Sequence, residues 1–189
     1  MTLSRITAPA TGLITLAEAK VHLRVDDTTE DTYITALVAA ASAYLDARDG
    51  VLGEALVTQT WRYSLPMAPL GDIVLPLGPV QSITVVKYID AAGAEQTYSA
   101  ANYRLADGAV ELVGGASWPA VAERRVAFWV DFVAGYGAAT DVPETTRQLC
   151  RLLIGDMFEV RAAATTEAFE TTPAARMFLH AARSHRGLF

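Results

Sequence analysis

The stretch Val126–Arg161, VAFWVDFVAGYGAATDVPETTRQLCRLLIGDMFEVR, constrains the fold more than any other. Val126, Phe128, Val130 and Phe132 recur at period two, so they share one face of a strand. Gly135 and Gly137 flank Tyr136 in a turn where both glycines can take positive φ, and they are candidate hinge residues. Asp141 stands as an N-cap, with Pro143 tolerated in the first turn and Glu144 three residues on. The helix that follows carries Leu149, Leu152, Leu153, Met157 and Val160 in one apolar row, with Cys150, Ile154 and Phe158 in a second beside it. That stripe is wider than a helix needs to cover one small core. Either the helix is central to its domain or it also packs against a neighbouring subunit. Leu149, Leu153, Ile154 and Phe158 are therefore candidate core or oligomer-interface residues.

Upstream, residues 1–13 hold Pro9 and Gly12 without periodicity and read as an N-terminal arm. Thr15 and Glu18 form a capping-box pair ahead of a short helix whose narrow apolar face is Leu16, Ala19 and Leu23. The acidic run Asp26–Asp31 could coordinate a cation, but it lacks the glycine of a calcium loop. A polar turn with negative charge at a helix N-terminus accounts for it better. A second helix is expected from about Thr29 to Arg48, with Ile34, Leu37, Val38, Ala41, Tyr44 and Leu45 on its apolar face and Gly50 as a stop. Its alanine run, Ala39 to Ala41, permits close helix approach. Leu37 and Tyr44 join the core or interface candidates.

From Val57 to Val133 the character changes to β-branched and aromatic alternation. Strands are expected at 57–65, 73–77, 82–89, 95–98, 102–105, 109–113 and 126–133. Asp90–Gly93 is a hairpin-turn candidate, and Pro76, which cannot donate to a ladder, suggests an edge position. The expected class is α+β: mainly an α-helical bundle of about four helices with a small inserted antiparallel β-domain. The expected division is an arm at 1–13, a helical core at 14–56 and 134–189, and a β-insert at 57–133.

After the long helix, Thr172 and Pro173 restart a helix as N-cap and first residue. Arg176, His180 and Arg183 fall at i, i+4 and i+7 as a basic stripe, and Gly187-Leu188-Phe189 closes the chain. Dipole complementation at a helix end would account for the basic residues alone. A basic amphipathic segment tipped with Leu and Phe also suits insertion into an acidic, apolar groove of a partner, and that reading is preferred.

The chemistry of catalysis is not legible. His22, His180 and His185 fit no metal motif, no GxSxG elbow is present, and Cys150 lies on an apolar row where an inert buried thiol is expected. The turn Gly135-Tyr136-Gly137 lacks the third glycine and the βαβ context of a dinucleotide site. One cysteine excludes an intrachain disulfide. A net charge of −6 argues against gripping nucleic acid through its phosphates, though not against letting it pass. Hydrophobic residues make up 52% of the chain, yet no run approaches the ~18 needed to span a bilayer, so the excess points to a subunit interface. The first residues show no basic-then-apolar secretory pattern. No cofactor and no catalytic or metal residue is expected.

The order of these features resembles the head–tail connector, or adaptor, family of long-tailed bacteriophages and phage-derived gene transfer agents. The likeness is carried by Val133–Gly137 (VAGYG), Val142-Pro143, the helix closing on Phe158, Glu159 and Arg161, the opening helix Ile14–Val25 (ITLAEAKVHLRV) and Thr58–Trp61 (TQTW). The resemblance implies a non-enzymatic structural protein at the capsid–tail junction, assembled in the bacterial cytoplasm. It further implies a homo-oligomeric ring, typically of twelve, that joins the portal protein to a stopper or tail protein. DNA would pass through the lumen without sequence-specific binding, and no membrane is involved. By the same resemblance the C-terminal segment reaches into the portal, which makes Arg176, His180, Arg183, Arg186, Leu188 and Phe189 portal-contact candidates. The alternatives are a stopper or tail-terminator subunit, which would be mainly β, and a small ligand-binding protein or enzyme with a scattered site.

Overall fold

The computed structural model describes residues 1–159 and 173–184. The chain divides into two compact units: Met1–Ala10 with Thr58–Tyr136, and Thr11–Val57 with Gly137–Phe189.

The first unit is built of β1 (Thr2–Thr7), β2 (Gln59–Leu65), β3 (Ile73–Val74), β4 (Val80–Ile89), β5 (Glu95–Tyr98), β6 (Tyr103–Ala106), β7 (Ala109–Leu112) and β8 (Phe128–Ala134). They form a five-stranded sheet in the order β1-β2-β8-β4-β5 and a three-stranded sheet in the order β3-β7-β6. All the pairings are antiparallel. β8 is central, and its Phe128, Val130 and Phe132 are fully buried. Its other face is buried too, because Trp129 and Asp131 are covered, the Arg62 side chain lying over both. An aromatic chain forms the unit's own core. Tyr98 packs on Tyr103 and Trp118, and Trp118 meets Phe128 edge-on at 5.3 Å, the offset and T-shaped geometries that aromatic quadrupoles favour. The Tyr98 hydroxyl donates to Ser117 O, and Trp118 Nε1 to Gly71 O, so the polar ends are satisfied.

The second unit holds α1 (Leu16–Leu23), α2 (Asp31–Leu45), α3 (Glu144–Glu159) and α4 (Pro173–Ser184). Thr15 caps α1 as its spacing dictates: its hydroxyl accepts from Glu18 N, and its own N–H donates to Glu18 Oε2 at 2.9 Å. Ile34, Val38, Ala41 and Leu45 of α2 meet Leu149, Cys150, Leu153 and Ile154 of α3, with Leu13, Ile14 and Ala19 completing the core. Alanines at 19 and 41 let the helix axes approach. Each large apolar side chain buried there stabilises the unit by about 1.5–3 kcal/mol.

Four expectations need correction. The chain is not mainly a helical bundle with a small β-insert: eight strands in two sheets form a unit of their own, and the class is a more evenly mixed α+β. Residues 2–7 add a strand to the seven expected between 57 and 133. Those residues, expected as an arm, pair with β2 from Thr2↔Ser64 to Thr7↔Thr60. Asp141 does not cap α3: it ends a 3-10 turn, Ala139–Asp141, and accepts from Ala138 N at 2.8 Å. Likewise α2 runs from Asp31 to Leu45 rather than to about Arg48. Asp46 leaves the helix in extended geometry and its carboxylate accepts from Leu56 N, which pins the returning chain.

Candidate assembly surfaces

The candidate core or interface residues separate into two groups. Leu149, Leu153 and Ile154 are buried in the helical core. Leu37 and Phe158 pack at its margin, Phe158 against Tyr33 at a centroid distance of 6.0 Å. Tyr44 is exposed. The wide apolar stripe of α3 is thus explained within the unit, since α1, α2 and α4 all pack on that helix.

An ion network that sequence reading missed braces α1 against α3. Arg147 pairs with both Glu18 and Glu144, while Arg151 Nη1 lies 2.5 Å from Glu144 and its Nη2 lies 3.6 Å from Glu18. Glu18 therefore serves the α1 cap and the helix contact together. Its carboxyl is held below the ordinary carboxylate range, first by the Thr15 backbone N–H and also by the Thr15 hydroxyl, Arg147 and Arg151. Glu144 is likewise lowered, chiefly by its hydrogen bond from Arg151. The signal was available as Glu144, Arg147 and Arg151, three and four residues apart on one helix face.

Gly135 and Gly137 take φ of 127° and 136°, both in the positive region. Gly135 closes the β unit, donating to Pro79 O and accepting from Gln81 Nε2. Gly137 opens the stretch that returns to the helical unit and bridges Val57 in parallel.

On α4, Phe178 and Leu179 pack against the helical core, while Arg176, Met177 and His180 are exposed. Arg183 lies on the helix, but its side chain is outside the described residues, as are Arg186, Leu188 and Phe189 altogether.

The other sequence candidates have local explanations. In the acidic run, Lys20 Nζ reaches both Asp27 O and Asp31 Oδ1 at 2.6 Å, and the Asp27 carboxylate accepts from Thr29 N. Among the described residues no three His, Cys, Asp or Glu side chains group in a metal-holding arrangement. Cys150 is buried, and burial pushes its thiol up to about 12. No helix among the described residues is long and apolar enough to cross a membrane.

The fold is thus a two-unit α+β architecture whose helical unit is braced by ion pairs between α1 and α3. The comparisons make this particular. The phage gp6-like head-tail connector protein family matches residues 13–96. A chain in the neck of an empty gene transfer agent particle, computed with C6 symmetry, is 26% identical with a TM-score of 0.76, covering 97% of this chain and 95% of that one. A chain of the virion of a native gene transfer agent particle is 26% identical at a TM-score of 0.75, with 95% and 93% covered. One in the native particle's neck, computed with C12 symmetry, is 25% identical at a TM-score of 0.70, with 97% and 95% covered. No curated protein matches. Over residues 13–96 the chain is similar to the head–tail connector family, and the likeness of nearly the whole chain to gene transfer agent particle chains supports a structural connector role.

Proposed function

We propose that this chain forms a ring in the neck of a tailed particle, joining the portal to the stopper or tail and continuing the DNA channel. The observation that carries this is likeness across both units at once, with 95–97% of the chain covered by chains from gene transfer agent particles and their necks. The C12 neck supports a ring of twelve. Its work is binding free energy: many modest contacts around a ring sum to a stable joint. The net charge of −6 suits a lumen through which DNA slides without sticking.

On the portal side the reading assigns Arg176, His180, Arg183, Arg186, Leu188 and Phe189. Exposure of Arg176 and His180 on α4 supports the first two. The test is binding to the portal from the same gene cluster, comparing the full chain with one ending at Thr172. Binding by the full chain alone supports the connector role and this anchor. Binding by both keeps the connector role and rejects the anchor residues. Binding by neither at any salt concentration rejects the proposal.

A further inference from the structure

We propose that neighbouring copies associate by seating the uncharged outer face of α2 in the groove between α1 and α3 of the next copy. The inference rests on the ring reading above and names the surfaces that reading requires. A cyclic ring needs a heterologous contact, two different patches on each copy that fit one another.

The groove lies wholly within the helical unit and is lined by Ala17, Glu18, Val21, His22, Gln148 and Arg151. Val21 sits mid-helix on α1 with 80% of its surface exposed, and Ala17, one turn earlier, is also exposed. An aliphatic side chain left so open beside a concave wall has apolar area to gain from a partner. Beside it Gly155 of α3 lies close to His22, a Cβ built there standing 3.6 Å from His22 Nε2.

Charge selects the occupant. Arg151 is already neutralised by Glu18 and Glu144, so the groove does not call for a counterion. A charged occupant would have to be desolvated beside a satisfied network, which costs free energy. An uncharged face meets no such penalty. From Thr32 to Leu45 this chain has no ionisable acid or base other than the phenols of Tyr33 and Tyr44. The side chains of α2 that point away from the core are Thr32, Thr35, Ala36, Ala39, Ala40 and Ala43, all exposed, with Tyr44 exposed beside them. Small side chains there let a helix sit deep between two others, and Tyr44 adds a broad amphipathic contact at the end.

The test places single cysteines at Val21 and Ala40, exposed positions whose replacement leaves the core intact. Cys150 stays, since it is buried. Particles assembled with Val21→Cys/Ala40→Cys are treated with a short bis-maleimide and run on a denaturing gel. A ladder of cross-linked copies from the double variant, and none from either single variant, is the expected result. Ala40→Glu is expected to lower incorporation into particles about tenfold or more while leaving the far-UV circular dichroism of the purified chain unchanged. Absence of the ladder together with normal incorporation of Ala40→Glu overturns the inference while the ring stands. Absence of the unmodified chain from particles instead removes the connector reading, and this inference falls with it.

Discussion

The Arg62 guanidinium forks onto Asp131, with Nε and Nη2 each 2.7 Å from a carboxylate oxygen, while its ζ carbon stands 5.3 Å from the Trp129 ring centroid. One side chain thus pairs the charge on the central strand β8 and covers its aromatic neighbour. Asp131 has only 10% of its side chain exposed, whereas Arg62 keeps 41%. Removing Arg62 leaves a nearly buried carboxylate without its partner. Arg62→Ala should cost about 2–3 kcal/mol, less than breaking a fully buried pair because Arg62 keeps 41% of its side chain exposed. Arg62→Lys should lose much of this, since an ammonium cannot supply the fork. Urea midpoints for Arg62→Ala, Asp131→Asn and the double variant check it. Additive effects would mean the pair is not coupled.

Acid should loosen the α1–α3 brace. Glu18 and Glu144 both titrate below their ordinary value in the folded chain, so the unfolded chain binds more protons near that value. Their contribution is therefore fully present above pH 4.5 and is lost as pH falls through their lowered folded values. Glu18→Gln should flatten the acid limb of a stability–pH curve and also remove part of the α1 cap. A limb as steep in Glu18→Gln as in the wild type would show that other carboxylates dominate it. Salt should shrink the Glu144 part more, since that residue is mostly exposed.

Cys150 reports on opening of the helical core. Its thiol is buried and shifted up to about 12, so at pH 8 almost none is thiolate and reagents cannot reach it. Alkylation should be negligible in the native chain and complete in denaturant. Leu153→Ala, which empties volume beside it, should cost about 2–5 kcal/mol and raise the native alkylation rate in proportion to the opened fraction. Rapid labelling of the unaltered chain would contradict the packing described.

Much of the architecture was legible where local chemistry and periodicity agreed. The Thr15/Glu18 cap, the apolar faces of α2 and α3 and the Asp90–Gly93 turn each depend on residues close in sequence. Asp90 accepts from Ala92 N and Ala94 N as such a turn requires. What escaped depends on distant partners. β1 is an edge strand whose residues are nearly all exposed, so it has no hydrophobic period to read; only its pairing with β2 defines it. The packing inside the β unit was hidden for a related reason. Trp118 and Tyr98 sit outside or at the end of short segments, and only the folded chain brings them together. The braced groove between α1 and α3 needs Glu18 to meet a helix that begins over a hundred residues later, which no local pattern announces. The connector role was legible through the order of motifs rather than through any site chemistry.

The return to the helical unit turns on Gly137. At a φ of 136° it occupies backbone space that side chains rarely enter, and a Cβ there would stand 2.3 Å from Asp141 Oδ2. That carboxylate is not free to withdraw, because it accepts the Ala138 N–H that fixes the 3-10 turn before α3. Gly137→Ala therefore imposes two separate penalties, backbone strain of about 1–3 kcal/mol and displacement of the turn's acceptor. Asp141→Ala alone should cost about 1 kcal/mol through the lost bond. The double variant should cost less than the sum of the singles, because removing the carboxylate clears the clash while the strain remains. Equilibrium unfolding of the four proteins measures this directly. A double variant equal to or worse than the sum would mean that Asp141 already moves aside, and that the rigidity ascribed to this turn is absent.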